Sequence, residues 1–232
     1  MREVLFEETI KGTPLIKFQK ADIIDKIVKG SFFMNSMKVY RDRYYQEYDE
    51  EIGDPAEGMV YVDEGSFIVY KESIEVHPLQ SSTIPTVNSD DYIFCMFGIS
   101  RNNCFPFRFS DEQKKKWLEI YDTALVITDF NELVNRVYDA AIREGVEIQR
   151  GFVNYYDEKS GDISPLMGAL ANGLNSVAFY KRKRYAYQQE YRFTAPKCEK
   201  DYLELNIGNI SGISKVFPLE KFFNAEIMRC HD

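Results

Sequence analysis

The stretch "YIFCMFGIS", residues 92 to 100, is an almost continuous run of apolar, aromatic and β-branched side chains. Such a run without polar alternation is typical of a strand that is buried on both faces in the middle of a sheet. The segment "TALVIT", residues 123 to 128, has the same character. We therefore expect these two segments to be central strands, with Cys95 buried as a small apolar residue.

Two helices are predicted on either side of "TALVIT". Ser110 followed by Gln113, and Asp129 followed by Glu132, have the spacing of capping boxes at helix starts. The second helix ends at Gly145. Its apolar side chains are predicted to form one buried stripe, made of Leu133, Val134, Val137, Tyr138, Ala141 and Ile142.

The N-terminal part predicts a strand, a helix and a second strand at "TPLIKFQK" (13–20), "ADIIDKIVKG" (21–30) and "SFFMNS" (31–36). Residues 40–58 are rich in Tyr and acids and show little periodicity, so we expect a long loop there that runs from a helical turn into "GDPAEG". The stretch "SSTIPTVNSDD" (81–91) is expected to be a polar connector. Further along the chain we expect a strand at "IQRGFVNYYD" (148–157) and a helix at "PLMGALANGL" (165–174). The fold class is therefore α+β, with mostly antiparallel sheet and a few packed helices.

Composition limits the classes of function. The 232 residues, 44% hydrophobic and 28% charged, show no sharp break, which favours one globular domain over residues 1–232. The net charge of -8 argues against general nucleic-acid binding. Four separated cysteines without a C-x-x-C pair and two histidines predict no metal site. Without a signal-like N-terminus or a long apolar run, we expect a cytoplasmic protein that does not enter membranes.

The stretch "FYKRKRYAYQQEYRF", residues 179 to 193, holds one carboxylate, Glu190, among aromatic and cationic side chains. If residues 185–193 form a strand, Glu190 shares a face with Arg184 and Arg192, and the tyrosines lie on the other face. Two interpretations stay open. Either Glu190 belongs to an ordinary half-buried strand and pairs with Arg192 or Arg184 as a surface ion pair, worth roughly 0 to 1 kcal/mol, or it is an acid in a catalytic or ligand-binding cleft.

Phosphate-binding loops of the G-x-x-x-x-G-K-[ST] and G-x-G-x-x-G types are missing from the sequence. The segment "GDPAEG", residues 53 to 58, places Asp54 and Glu57 on a tight loop between glycines. Such a loop suits a cation or a ribose hydroxyl, but it is more often a plain turn.

The order of segments resembles a widespread bacterial family of uncharacterised domains. Its members share an N-D-P-F-[DE] loop, a C-F-S strand and a late F-x-K-x-x-x-[WY]-x-x-E-x-E-x-R block. The matching segments here are "GDPAEG", "CMFGIS" and "FYKRKRYAYQQEYRF". The loop Phe is replaced by Ala56 and the first Glu of E-x-E by Gln188. The positions of the late block that match are Phe179, Lys181, Tyr185, Glu190 and Arg192.

The chain also resembles the toxin-type ADP-ribosyltransferases, which begin with strand, helix and strand and carry a catalytic Glu on a late strand. This resemblance implies NAD as cofactor and a role in a bacterial toxin or phage-conflict system. It implies that the Glu stabilises the positive charge that forms as the N-glycosidic bond breaks. It assigns catalysis to Glu190 and cofactor binding to Lys17, Gln19, Asn35, Ser36, Tyr187 and Arg192.

A non-catalytic binding or inhibitor module is the alternative function. Tyrosine offers a large contact area at low entropic cost, and the six acids from Glu47 to Glu57 suit a basic protein partner. The predicted partner-binding residues are Tyr44, Tyr45, Tyr48, Asp49, Glu50 and Glu51.

Overall fold

The computed structural model describes residues 10–47, 52–62, 67–69, 74–76, 82–85, 90–100, 102–159, 166–168 and 177–228. The α-helices are α1 (Ala21–Val28), α2 (Met37–Glu47), α3 (Asp111–Ile120), α4 (Phe130–Glu144) and α5 (Leu219–Phe223). The strands are β1 (Leu15–Gln19), β2 (Ser31–Ser36), β3 (Met59–Val62), β4 (Phe67–Val69), β5 (Ile74–Val76), β6 (Ser82–Pro85), β7 (Tyr92–Gly98), β8 (Thr123–Ile127), β9 (Gln149–Phe152), β10 (Asn154–Tyr156), β11 (Tyr180–Arg182), β12 (Glu190–Ala195), β13 (Tyr202–Asn206) and β14 (Ser214–Pro218). Short 3-10 helices cover Val177–Phe179, Lys183–Gln188 and Ser211–Ile213.

An eight-stranded sheet forms the centre of the fold, in the order β13-β2-β7-β1-β8-β14, with β12 and then β9 attached through β7. All of its pairings are antiparallel. The expected α+β class and mostly antiparallel sheet are therefore confirmed, and β7 and β8 are interior strands as predicted.

Strand β7 has three partners on two edges. β12 pairs along its whole length, from Glu190 opposite Phe97 to Ala195 opposite Tyr92. β1 and β2 therefore share the other edge. β1 pairs with the last two residues of β7 and β2 with the first two. The described pairings of β1 and β2 with β7 leave out residues 94–96 on this edge. We call this interval the sheet gap.

Each face of the sheet carries an apolar layer. On one face, side chains of β7 and β12 such as Phe94 and Phe193 pack with α1 and α4. On the other, Phe18 and Phe97 pack with Trp117 of α3 and with α5. The sheet is thus covered on both sides, which explains the unbroken apolar run of β7.

Local sequence signals set several element ends. The side chains and backbones of Ser110 and Gln113 bond reciprocally at the start of α3, and Asp129 caps α4 by accepting from Glu132. Gly145 ends α4 in the left-handed conformation. Gly30 has a φ of 111°, and a Cβ there would lie 2.7 Å from the carbonyl oxygen of Gly208. Only glycine fits this turn between α1 and β2.

Four expectations about individual elements were wrong. The long loop from residue 40 begins instead as helix α2. The polar connector contains β6, which pairs with β3. The predicted strand "IQRGFVNYYD" is two strands, β9 and β10, in different sheets. Ile142, assigned to the buried stripe of α4, is 74% exposed. The predicted helix "PLMGALANGL" has a helical turn at 166–168, and its other residues lie outside the described ones.

Among the described residues no helix combines the length and the apolar character needed to cross a bilayer.

Candidate functional site

Six buried charged side chains meet on one face of the sheet, and we call them the charge cluster. Two come from the loop before β3, two from β11 and two from β12. Each is less than 9% exposed. Three carboxylates are matched by three cations. The members of the charge cluster are Asp54, Glu57, Lys181, Arg182, Glu190 and Arg192.

Arg192 is the centre of the charge cluster and is completely buried. Its two terminal nitrogens donate to the two carboxylate oxygens of Glu57, at 2.7 and 3.1 Å. Its Nε donates to Oε2 of Glu190 at 2.6 Å. Nη1 also donates to the carbonyl oxygen of Ala178 at 2.6 Å. The planar guanidinium thus joins two carboxylates from distant parts of the chain in one fixed geometry.

Lys181 contacts the same two carboxylates as Arg192, those of Glu57 and Glu190. Its Nζ donates to Oε1 of Glu190 and to Oε1 of Gln188, both at 2.7 Å. The same nitrogen lies 3.4 Å from Oε2 of Glu57. Both carboxylate oxygens of Glu190 therefore accept from a cation. Each oxygen keeps one further lone pair, which is the remaining capacity for a ligand.

The "GDPAEG" loop is fastened to the sheet by a second buried pair. Nη2 of Arg182 donates to Oδ1 of Asp54 at 2.6 Å. The same oxygen accepts from the backbone N–H of Ala56 at 2.9 Å, which shapes the turn. Arg41 of α2 donates to the carbonyl oxygen of Glu57 at 2.7 Å. The loop is an anchored part of the site rather than a plain surface turn.

The cations decide which protonation state the cluster holds. Burial opposes ionisation of Glu190, but the charges of Arg192 and Lys181 outweigh burial and lower its pKa. The same balance lowers the pKa of Glu57 and raises that of Lys181 well above its ordinary value. Burial together with the nearby Glu57 raises the pKa of Asp54 despite Lys181 and Arg182. Glu190 is thus held as a carboxylate.

The chain reaches Glu190 through a strained turn. Residues Lys183–Gln188 form a 3-10 helix, and Gln189 adopts a φ of 41°, which is uncommon outside glycine. Strand β12 begins only after this turn. The predicted strand over 185–193 was therefore wrong before Glu190, and Arg184 does not share its face. The side chain of Arg184 is 61% exposed and lies 3.5 Å from a carboxylate oxygen of Glu158.

The sheet gap holds Lys17, which lies on the face of Phe94 and Leu125, opposite to the face that carries the charge cluster. Its Nζ donates to the carbonyl oxygen of Cys95 at 2.7 Å, where a strand partner would otherwise bind. The ammonium also lies 4.8 Å from the ring centre of Phe94. Burial lowers the pKa of the half-buried Lys17, although Cys95 and Glu190 act in the opposite direction. Burial also raises the pKa of the Cys95 thiol to about 12, so that this thiol is neutral.

Asn35 lies on the other side of the gap. It pairs with Ile93 of β7, and its side chain hydrogen-bonds the hydroxyl of Tyr40. Burial raises the pKa of Tyr40, so its hydroxyl stays protonated. Lys17 and Asn35, predicted to bind the cofactor from the first and second strands, thus flank the same gap.

The remaining predicted cofactor residues do not join them. Ser36 follows Asn35 in β2 and so points away from Asn35, to the face of Tyr92 and Phe94 on which Lys17 lies. Its hydroxyl is buried and has no hydrogen-bond partner among the described residues. Gln19 accepts from the backbone N–H of Lys20. Tyr187 packs beside Trp117, with their ring centres 6.0 Å apart. Arg192 is brought to the site, but as a buried partner of carboxylates.

The surface-pair interpretation of Glu190 needs correction on one point. The pair with Arg192 is confirmed, but it is buried and not on the surface. Two clefts, of about 470 and 380 Å³, lie elsewhere, at Asn103–Arg108 and between α1 and β14. Neither cleft is lined by Glu190.

The predicted partner surface is described only in part. Tyr44 and Tyr45 lie in α2 with their rings in contact, and Tyr45 is 64% exposed. Two of the six acids assigned to this surface, Asp54 and Glu57, are buried in the charge cluster instead. Tyr48, Asp49, Glu50 and Glu51 lie outside the described residues.

In the sequence, the "GDPAEG" loop and the late block are separate matches, and no local pattern joins them. Asp54, Glu57 and Lys181 were visible as matches to one family pattern. Arg182, one of four consecutive cations, gave no signal of its own. Within the described part of the chain no group of three or more His, Cys, Asp or Glu side chains is arranged to hold a metal ion.

Comparisons of this chain with protein-family models, with curated proteins and with solved structures find no match.

Proposed function

We propose that this chain is an ADP-ribosyltransferase-like or NAD-cleaving protein that binds its nucleotide at the sheet gap. The observation that carries the proposal is the placement of Lys17. A half-buried ammonium lies at the break between β1 and β2, and its hydrogen-bond acceptor is one backbone carbonyl, that of Cys95. An ammonium has three donors. Two donors of Lys17 thus remain for a phosphate or an amide oxygen.

Glu190 supplies the acid that this chemistry requires. Cleavage of the N-glycosidic bond of NAD builds positive charge on the ribose, and a fixed carboxylate nearby stabilises that charge. Lys181 and Arg192 keep Glu190 ionised and in one rotamer. In this role they are positioning residues, and a ribose hydroxyl would use a remaining lone pair of Glu190. The proposal assigns this activity to a bacterial toxin or phage-conflict system acting in the cytoplasm.

The test is release of nicotinamide from NAD by the purified protein, with and without cell extract. Glu190→Gln and Lys17→Met are compared with Arg184→Met, which removes an exposed cation of the same block. Glu190→Gln should lower release about a hundredfold or more. Arg184→Met should keep it. Absence of release under all conditions, or full activity of Glu190→Gln, would contradict the proposal.

A direct binding measurement separates ligand binding from catalysis. A ligand that binds only the native state raises the melting temperature. NAD should raise the melting temperature of the wild type and of Arg184→Met, and should have a much smaller effect on Lys17→Met.

The second candidate function is a non-catalytic module that binds a protein partner. The observation that favours it is that Lys181 and Arg192 already occupy both oxygens of Glu190. The exposed Tyr45 of α2 would then be part of the contact surface. A pull-down that loses its partner when residues 44–51 are neutralised, from a protein that releases no nicotinamide, would decide for this candidate.

A further inference from the structure

Lys17 differs from Lys181, the buried lysine of the charge cluster, in what surrounds it. Lys181 faces two carboxylates, of Glu190 and Glu57, within 3.4 Å. Lys17 faces a neutral carbonyl oxygen and an aromatic ring. A buried amine without a close counter-ion is destabilised in its charged form. Such lysines serve as nucleophiles toward carbonyl compounds.

The ionisable groups that act on Lys17 come from two neighbouring strands. They are the thiol of Cys95 on β7 and the carboxylate of Glu190 on β12. On its other side Lys17 pairs with Leu125 of β8, which is apolar. The thiol is neutral, so Glu190 is the one permanent charge among these groups. It lies close enough to stabilise a cation at Lys17 without an ion pair to it in the structure.

We propose that Lys17 is a reactive amine that condenses with an aldehyde ligand at the sheet gap. The nitrogen lone pair forms a bond to the carbonyl carbon, and one proton passes from the nitrogen to the carbonyl oxygen. The resulting hydroxyl takes up the second amine proton and leaves as water, while the nitrogen lone pair forms the C=N bond. One water is released, and nothing is oxidised or reduced.

The choice of aldehyde rests on the proposed function. NAD cleavage by water yields ADP-ribose, whose ring-opened ribose carries an aldehyde at C1. The same gap that holds the nucleotide would bring this carbon to Lys17. The imine is cationic when protonated, and the nearby carboxylate of Glu190 favours that form. ADP-ribose would thus be held by a reversible covalent bond.

The first experiment measures amine reactivity without any nucleotide. The full chain is treated briefly with formaldehyde and cyanoborohydride across a pH series, and methylation of each lysine is read by mass spectrometry. The reference is Lys115, an exposed lysine of α3. Each unit by which the pKa of a lysine is lower raises its neutral fraction about tenfold at neutral pH. Lys17 should therefore reach half-maximal modification at a lower pH than Lys115.

A profile for Lys17 that matches Lys115, lies at higher pH or shows no modification would overturn the proposal. Glu190→Gln removes a charge that raises the pKa of Lys17, so its Lys17 profile should move to still lower pH. If that variant does not fold, the wild-type profile alone decides.

The second experiment tests the ligand. ADP-ribose followed by borohydride should leave a reduced adduct on Lys17 and none at that position in Lys17→Arg. A shifted methylation profile without this adduct would overturn the choice of ligand. Neither experiment uses NAD, so failure of nicotinamide release and failure of this inference are separate results.

Discussion

Strand β12 has two buried faces that are built in opposite ways. Tyr191 and Phe193 point into the apolar layer beneath α4, whereas Glu190 and Arg192 point into the charge cluster. The apolar face gains stability from burial of surface, which does not depend on direction. The charged face depends on each ion finding its partner, because an unpaired buried charge is costly. Different substitutions and pH values should therefore destabilise the two faces.

The largest effect is expected from a charge placed in the apolar layer. Val137 of α4 is fully buried, so Val137→Asp would force a carboxylate among apolar side chains. We expect this variant to be unfolded at 25 °C by circular dichroism. Ile142→Asp is the matched control on the same helix, because Ile142 is largely exposed, and it should fold normally. A folded Val137→Asp with an unchanged melting temperature would show that this face is not buried.

On the charged face, the loss of one cation should be nearly as damaging. Arg192→Met leaves Glu57 and Glu190 without their shared partner, and breaking a buried pair costs about 3–5 kcal/mol of unfolding free energy. Arg184→Met, in the same sequence block but exposed, should cost about 0–1 kcal/mol. Urea denaturation measures both. Equal losses of unfolding free energy in the two variants would mean that the charge cluster does not stabilise the fold.

Acid distinguishes the two faces most directly. The folded pKa of Glu190 is lowered, so the stability from its ionisation is present above its unfolded pKa of about 4.3 and is lost as the pH falls through the folded pKa. The stability difference between wild type and Glu190→Gln should be constant near pH 7 and shrink below about pH 4.

Val137→Ala, which removes apolar contacts only, should differ from wild type by the same amount at every pH at which both remain folded. Urea midpoints across the pH series provide the measurement. A pH-independent difference for Glu190→Gln would contradict the assignment of a buried, ionised carboxylate.

The smallest expected effect is the energetic coupling within each face. A double-mutant cycle of Lys181→Met and Glu190→Gln should show a coupling within about 0.5–3 kcal/mol, toward the upper end. Phe32 and Phe94, whose rings stack at 4.0 Å on the apolar face, should couple by about 0.5–1.5 kcal/mol when each is changed to Leu. If the coupling between Lys181 and Glu190 were weaker than that between Phe32 and Phe94, Arg192 alone would organise the charge cluster.

Much of the fold could be predicted because its signals are local. The capping residue Ser110 and the terminal Gly145 act within one turn of their helices, and the apolar run of β7 reports burial directly. The position of Ile142 was predicted wrongly from its spacing along the helix. It follows Val137 by five residues, which at 3.6 residues per turn places it about 140° around the helix. Helix α2 was missed because its Tyr and charged residues form no clear apolar stripe.

The site was harder to predict because its contacts are long-range. Glu57 and Arg192 are separated by 135 positions, and no local pattern connects them. Alternation along β12 did place Glu190 and Arg192 on one face. It did not show that the "GDPAEG" loop covers that face, and so a buried cluster was mistaken for a surface pair.

The shared edge of β7 has a mechanical consequence. β2 with β13 and β1 with β8 and β14 form two wings that attach to one end each of the same strand. At the break, the described bond to the open edge of β7 comes from a side chain, that of Lys17 of β1, and not from a ladder of backbone bonds. Residues 94–96 are therefore held by backbone pairing on one edge, with β12, and by a side chain on the other. A ligand bound to Lys17 would replace or extend that side-chain link at the point where the two wings meet the central strand.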